Sequence, residues 1–341
     1  MAEQTDRVKL AVIGCGYWGP NLIRNFINIP ECEMSICCDL DENKLNRMKG
    51  LYPGIKTTQK LDDLLKSDIQ AVGIATPVNT HYPLAKACLE AGKHVLVEKP
   101  LTASSKEAED LIRIAKANNV QIMVGHTFEY TASVNKIKEI VESGDLGEIL
   151  YVNSVRVNLG LLQPDINVIW DLAPHDLSII LYVLGKTPNS VNAQGLAHFR
   201  KHIEDVAMMT INFGDCMAFV HNSWLDPNKI RKMVFVGSKK MLVYDDISQN
   251  EKIKIYDKGI ESPTYYDTYA EFHFAYRYGD IYIPKVEEYE PLRRECTHFI
   301  ECVRDNTTPK SDGFSGLRVI KILEAANVSI NHHGANVPIN L

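Results

Sequence analysis

Two halves of different class are predicted by this sequence: an α/β half built on a parallel sheet over residues 1–125, and an α+β half with an open, mainly antiparallel sheet over residues 126–341. Three observations predict them. Short apolar runs alternate with helical patterns as far as Gly125, the pattern of a parallel sheet covered on both faces. Strand-like runs with few helices follow. The first apolar run, Val8-Lys9-Leu10-Ala11-Val12-Ile13, stops abruptly at Gly14-Cys15-Gly16-Tyr17-Trp18-Gly19.

An apolar strand that ends in G-x-G-x-x-G opens a βαβ unit of the Rossmann type, which binds a dinucleotide. Gly14 permits the tight turn, Gly16 lets the backbone approach a pyrophosphate, and Gly19 lets the next helix lie close to the sheet. That helix presents free N–H groups and its positive dipole end to the phosphates, with Cys15, Tyr17 and Trp18 completing the loop. The run at residues 34–38 reads as the second strand and delivers Asp39, twenty residues past Gly19, where a carboxylate accepts from the adenosine ribose hydroxyls. The plainer reading of Asp39 is a turn starter. Asp39 repels a 2′-phosphate and Leu40-Asp41-Glu42 brings no Arg to hold one, so NAD is expected over NADP.

The elements follow in order. After Asp39 comes a helix with Leu45 and Met48 inward, then a helical turn at Asp62-Asp63-Leu64-Leu65 and a buried strand over residues 69–75. Pro83 is expected to begin a helix that Gly92 ends. Residues 94–97 form a strand, 105–118 a helix and 121–124 the last strand of this half. Beyond Gly125 the pattern predicts a helix at 133–143, a strand at 149–158 and a helix at 174–184. Strands at 190–197, 206–213, 217–223, 232–236, 241–244 and 252–256 follow. Residues 262–289, rich in Tyr and Phe without strict periodicity, are expected to be a long loop, and two amphipathic helices at 291–303 and 315–331 close the chain.

Composition narrows the classes. A length of 341 residues favours two domains, and 45% apolar content suits a full core. A net charge of −6 gives no reason to expect nucleic acid or an anionic membrane as partner. Residues 1–6 are polar and acidic, unlike a signal peptide, and no apolar run has transmembrane length. The eight cysteines form no disulfide framework, so a cytoplasmic protein is expected. A broad sheet bare on one face predicts a homodimer or homotetramer formed through the second half.

In an open parallel sheet, ligands bind beyond the carboxyl ends of the strands. Thr76, Pro77, Asn79 and His81 follow one strand, and Glu98 and Lys99 follow the next, ahead of Pro100, which holds Lys99 extended and can form a cis bond. Lys99 there points over the cofactor crevice, although a solvated lysine is the common fate of the residue type. Further on, Trp170-Asp171-Leu172-Ala173-Pro174-His175-Asp176 brings a carboxylate within four residues of an imidazole, the pairing that general acid/base work needs. A capping Asp beside an unrelated His explains the same residues more simply. His126, Arg156 and Asn158 could meet substrate phosphate or hydroxyls, or serve polar pairing. Cys296, Phe299 and Cys302 recur as a packed helical face, so no metal site is expected.

Taken together, GCGYWG, TPVNTHYPLAKACLEAGKHVLVEKP and WDLAPHD resemble the Gfo/Idh/MocA oxidoreductases over nearly the whole chain. The resemblance implies hydride transfer between a nicotinamide and a carbinol carbon of a sugar or cyclitol. Lys99 is then the lysine of the family's E-K-P, and Asp171 and His175 its D-x-x-x-H pair. The run Pro164-Asp165-Ile166-Asn167-Val168-Ile169-Trp170 departs from the family's usual glycines. With Gly125-His126-Thr127-Phe128-Glu129-Tyr130 it resembles the branch that acts on nucleotide sugars for surface polysaccharides. This implies oxidation at C3 of UDP-N-acetylglucosamine or its uronic acid, with Trp170 among the substrate contacts, ahead of inositol or free sugar.

The expected mechanism has the substrate hydroxyl held by Lys99 and His175, with Asp171 orienting His175. Which of Lys99 and His175 is the base stays open. An NAD-dependent glycosidase of the same fold is the competing enzyme. A non-catalytic NAD-binding regulator is the competing module, but it has no need of an acid/base pair.

Overall fold

A computed structural model describes residues 7–261 and 275–341 of the chain. Residues 1–6 and Tyr265, Tyr266, Tyr269, Phe272 and Phe274 of the expected aromatic loop lie outside the described residues. The chain forms two units, Met1–Tyr130 with Glu290–Lys321, and Thr131–Tyr289 with Ile322–Leu341.

The first unit begins β1 (Val8–Ile13), α1 (Gly19–Ile27), β2 (Cys32–Cys38), α2 (Glu42–Leu51), β3 (Lys56–Thr58) and α3 (Leu61–Leu65). β4 (Ala71–Ile74), α4 (His81–Glu90), β5 (His94–Glu98), α5 (Ser105–Ala117) and β6 (Ile122–Gly125) follow. The strands lie parallel in the order β3-β2-β1-β4-β5-β6. The order reverses between β1 and β4, which opens a crevice at their carboxyl ends. β4 and β6 are buried at every residue, as central parallel strands must be. α1 buries Leu22, Ile23 and Phe26 on one face, and α2 buries Leu45 and Met48. α4 starts at His81, two residues before the expected Pro83. Pro83 is still in the first turn, where the missing N–H has no intrahelical acceptor to lose. The three-residue β3 is too short for alternation to reveal and was not expected.

The second unit contains α6 (Ala132–Glu142), β7 (Ile149–Leu159), α7 (Val168–Leu184), β8 (Ser190–Leu196), β9 (Val206–Asn212), β10 (Met217–Ser223), β11 (Leu225–Gly237), β12 (Met241–Asp245), β13 (Ile253–Glu261) and β14 (Ala275–Tyr282). Among the described residues its sheet runs β14-β13-β12-β11-β7-β10-β9-β8, and the short β15 (Val337–Pro338) adds to the edge of β8. The β7–β10 pair is parallel and its other pairs are antiparallel. β14 corrects the expected long loop: Ala275–Tyr282 pairs with β13, and its exposed tyrosines hide the alternation that marks a half-buried strand.

α7 begins six residues before the expected start, because Asn167 caps it by accepting the Trp170 N–H at 3.2 Å. Pro174 therefore lies inside the helix, not at its first position. α7 packs on β7, β9 and β10, while the sheet's opposite face shows Tyr151, Met208 and Phe219 to solvent, with the Tyr151 and Phe219 rings 6.0 Å apart.

After the second unit's strands come α8 (Pro291–Asp305) and α9 (Gly313–Asn331). Residues 126–341 do not all belong together, since Glu290–Lys321 returns to the first unit. There Cys296, Phe299 and Ile300 of α8 join the α1 and β1 core, with Phe299 edge-on to Phe26 at 6.4 Å. A helix's apolar stripe announces that it is buried, but not which core it fills.

Under α7 lies a buried ion pair. Arg156 of β7 donates through Nε (2.9 Å) and Nη2 (2.8 Å) to Asp176 Oδ1, and Asn222 of β10 donates to the other carboxylate oxygen at 3.3 Å. Removing one member of such a pair strands a charge out of water. Asp176→Ala is therefore expected to lower the unfolding free energy by about 3–5 kcal/mol, measured by urea denaturation.

Candidate active site

The crevice at the β1/β4 switch point is a cleft of about 810 Å³. Gly14, Gly16, Tyr17 and Trp18 form one wall, Asp39 stands at the end of β2, and Thr76, Pro77, Glu98 and Lys99 come from the ends of β4 and β5. Gly14 holds φ +95°, and a Cβ there would sit 2.4 Å from the Ala75 carbonyl oxygen. A Cβ on Gly19 would reach 1.8 Å from the Gly14 carbonyl oxygen, so α1 can begin only where a glycine lies against that turn. Around Gly16 an added Cβ would meet nothing within 4 Å, which leaves its backbone open to a close ligand.

Asp39 organises this wall. Its Oδ2 accepts the Cys15 N–H at 2.6 Å and its Oδ1 accepts the Asp41 N–H at 2.9 Å, while Lys44 Nζ lies 3.9 Å away. Cys15, expected to touch cofactor, spends its N–H on Asp39 and turns its thiol to Cys37 in the buried core. Gly19 and Asn79 likewise lie outside the cleft lining, Gly19 because it serves the packing of α1. Leu40 and Lys44 line the cleft and were missed. Their one signal is nearness to Asp39.

His81, also expected at the cofactor, is buried and holds two loops together. Nδ1 lies 2.9 Å from the Pro100 carbonyl and Nε2 2.8 Å from the Thr76 carbonyl. It thereby couples the turn after β4 to the Lys99-Pro100 segment, whose peptide bond is cis. Burial pushes the imidazole down from its ordinary value despite these two acceptors.

Beneath the carboxyl ends of β5 and β6 the buried Glu129, Glu295 and His126 lie near the half-buried Glu98. Burial pushes Glu98 up to about 7, against the pull of Lys99. Glu129 is pushed up to about 8 by burial, against Lys310 and Arg318. Glu295 of α8 is raised by burial and accepts from Thr127 Oγ1 at 2.7 Å. Burial, then the charges of Lys99 and Arg318, push His126 down to about 3, and its Nε2 is buried with no hydrogen-bond partner. His126 is thus neutral and 2% exposed.

In the second unit α7 sets Asp171 and His175 one turn apart on the same face, as the four-residue spacing predicts. Asp171 Oδ2 accepts from the Trp224 indole at 3.0 Å. Trp224 is buried and was missed; its signal is an indole directly after strand residues 217–223. Its carbonyl accepts the Gly160 N–H at 2.9 Å, and Gly160 lies against both the Trp224 ring and the Asn158 amide. Trp170 is half-buried on α7, with a buried indole nitrogen that has no partner. Arg156 is not displayed to a substrate: it is 4% exposed and held by Asp176.

Two outcomes follow. Gly19→Ala is expected to cost about 3 kcal/mol of stability and to weaken dinucleotide binding, read by thermal unfolding with and without NAD. Because Glu98 and Glu129 bind protons more tightly folded than unfolded, stability falls as pH rises from their ordinary 4.5 through about 7 and about 8. Glu129→Gln should flatten that fall in denaturation curves taken at pH 5 to about 8.

The comparisons with known proteins agree with this geometry. Residues 8–126 match the family model described as oxidoreductase family, NAD-binding Rossmann fold, and residues 134–243 match the GFO/IDH/MocA C-terminal domain. The chain is 24% identical to the scyllo-inositol 2-dehydrogenase (NADP(+)) of Bacillus subtilis, over 95% of this chain and 94% of that one. It is 33% identical to the UDP-N-acetylglucosamine 3-dehydrogenase of Acidithiobacillus ferrooxidans over 156 residues, 45% of this chain and 48% of that one. A solved structure of an Acidithiobacillus ferrooxidans enzyme of that name superposes with TM-score 0.79 at 22% identity, covering 95% and 98% of the two chains, a likeness of fold. A parallel sheet of order 3-2-1-4-5-6 with its glycine turn, followed by the mixed second sheet, places the chain in the Gfo/Idh/MocA family of oxidoreductases, with an NAD(P)-binding Rossmann domain.

Proposed function

We propose that this chain is an NAD-dependent dehydrogenase that oxidises a sugar hydroxyl carbon, C3 of a nucleotide sugar such as UDP-N-acetylglucosamine or its uronic acid, for surface-polysaccharide synthesis. The observation that carries a dehydrogenase is the half-buried Lys99 in the same cleft as the glycine turn and Asp39. The nucleotide sugar is supported by the 33% identity to the UDP-N-acetylglucosamine 3-dehydrogenase and by the 164–170 and 125–130 runs. NAD is supported by Asp39, which two backbone N–H groups fix at the ribose end of the cleft.

A bound nicotinamide supplies the hydride acceptor. In this reading His175 takes the hydroxyl proton, Asp171 orients it from one turn earlier, and the Trp224 indole holds Asp171. Lys99 stabilises the developing alkoxide, and His81 holds the segment that carries it. The 24% identity to the scyllo-inositol enzyme over 95% of the chain favours a second reading, a polyol dehydrogenase. The exposed Tyr151 and Phe219 face supports self-association through the second sheet.

The test is NADH formation from NAD and UDP-N-acetylglucosamine with a carbonyl trap, with myo-inositol in parallel. The expected signal depends on the nucleotide sugar, and Lys99→Ala and His175→Ala each lower kcat by roughly 10²–10⁴-fold with NAD still bound. Turnover of inositol alone would return the protein to polyols.

A further inference from the structure

Between β8 and β9 the sequence His198-Phe199-Arg200-Lys201-His202 places two permanent cations, two imidazoles and a phenyl ring on five consecutive exposed residues. Phe199 is 67% exposed. The segment has a built shape. The buried Asp205 carboxylate accepts the backbone N–H groups of His198 (2.7 Å) and Phe199 (3.1 Å), and meets His198 Nδ1 at 2.6 Å. Burial opposes its charge, yet these contacts hold Asp205 below the usual carboxylate range. The Arg200 carbonyl accepts the Ile203 N–H at 3.2 Å, with His202 at φ +64°, so Lys201 and His202 form the tip of a closed turn.

The base of this turn is tied to the start of α7. The Val168 N–H donates to the Glu204 carbonyl at 2.9 Å, and Asn167 Nδ2 donates to the Glu204 carboxylate at 2.8 Å. Trp224 completes the connection: its N–H donates to the Asp205 carbonyl at 2.9 Å, and its indole donates to Asp171. One residue thus joins the basic turn to the helix of Asp171 and His175. The nearby carboxylates of Glu204 and Asp205 are engaged by Asn167 and His198; Arg200 Nη1 donates to the Gln163 carbonyl at 3.3 Å, and both Arg200 and Lys201 are exposed.

Cations at a fixed turn beside an exposed ring are suited to a ligand that carries both phosphate and a flat base. We propose that residues 198–202 recognise the nucleoside diphosphate of the substrate, with Arg200 and Lys201 meeting phosphate oxygens and Phe199 stacking on the base. This rests on the nucleotide-sugar reading. A hexose oxidised at C3 and phosphorylated at C1 carries its diphosphate one ring's breadth from the reacting carbon. A free cyclitol offers this turn nothing.

The probe is UDP, titrated by calorimetry into protein saturated with NAD so that the first unit's cleft is filled. Arg200→Gln with Lys201→Gln should weaken UDP about tenfold or more and reduce the salt dependence of its binding. Lys201→Glu, which leaves the Arg200–Gln163 contact intact, should weaken it alone. Phe199→Ala should weaken it several-fold and raise KM for UDP-N-acetylglucosamine more than it lowers kcat. Equal UDP affinity in wild type and the double variant, with the nucleotide sugar still oxidised, overturns the turn's role and leaves the proposed function standing. Failure of wild type to bind UDP, with only polyol oxidised, overturns both. A Phe199→Ala protein that changes its sedimenting mass at unchanged UDP affinity overturns the stacking role and makes the ring a contact between copies.

Discussion

α1 begins against the carbonyl of Gly14, at a separation that no side chain could share. That contact sets the angle at which the helix leaves the sheet, and so where its free N–H groups point. It also leaves the Cys15 N–H directed at Asp39, so the acidic group at the end of β2 and the turn after β1 are parts of one hydrogen-bonded wall. Lys99 is held across the same cleft by a different device, the His81 ring pressed between two carbonyls. The atoms lining the cleft are held in place by groups buried behind them.

The second unit uses the same economy. α7 is anchored from beneath by Arg156 and Asp176, and Trp224 settles the position of Asp171 from the side. Buried ion pairs add little net stability, but they specify register, because only one placement of the helix satisfies both charges. Asp176 is the neighbour of His175, so the residue that seats the helix also fixes which way the next side chain leaves it.

The parallel half was legible because its strands are continuous apolar runs and its glycines have a steric job that no other residue can do. Asp39, Lys99 and the Asp171–His175 spacing were legible for the same reason: each is set by local geometry. His81, Arg156 and Cys15 misled, since a polar residue at a strand end or on a strand reads the same whether it faces a cleft or a buried partner. Pro174 misled because proline favours a first turn, while the Asn167 cap moved the helix start upstream. Trp224 and α8's destination depend on contacts far apart in sequence, which periodicity does not carry. The tyrosines of β14 are exposed and so break the alternation that would have marked a strand.

Phe299 closing on Phe26 has a consequence for how the chain is made. The glycine turn and its strands leave the ribosome first, yet α1 lacks part of its apolar cover until α8 has been synthesised. Every strand of the second unit's sheet except the short β15 precedes α8 in the chain. Vectorial synthesis therefore lays down most of the second sheet before the first unit's core can close, and an excised segment of residues 1–125 would be a domain with an open seam.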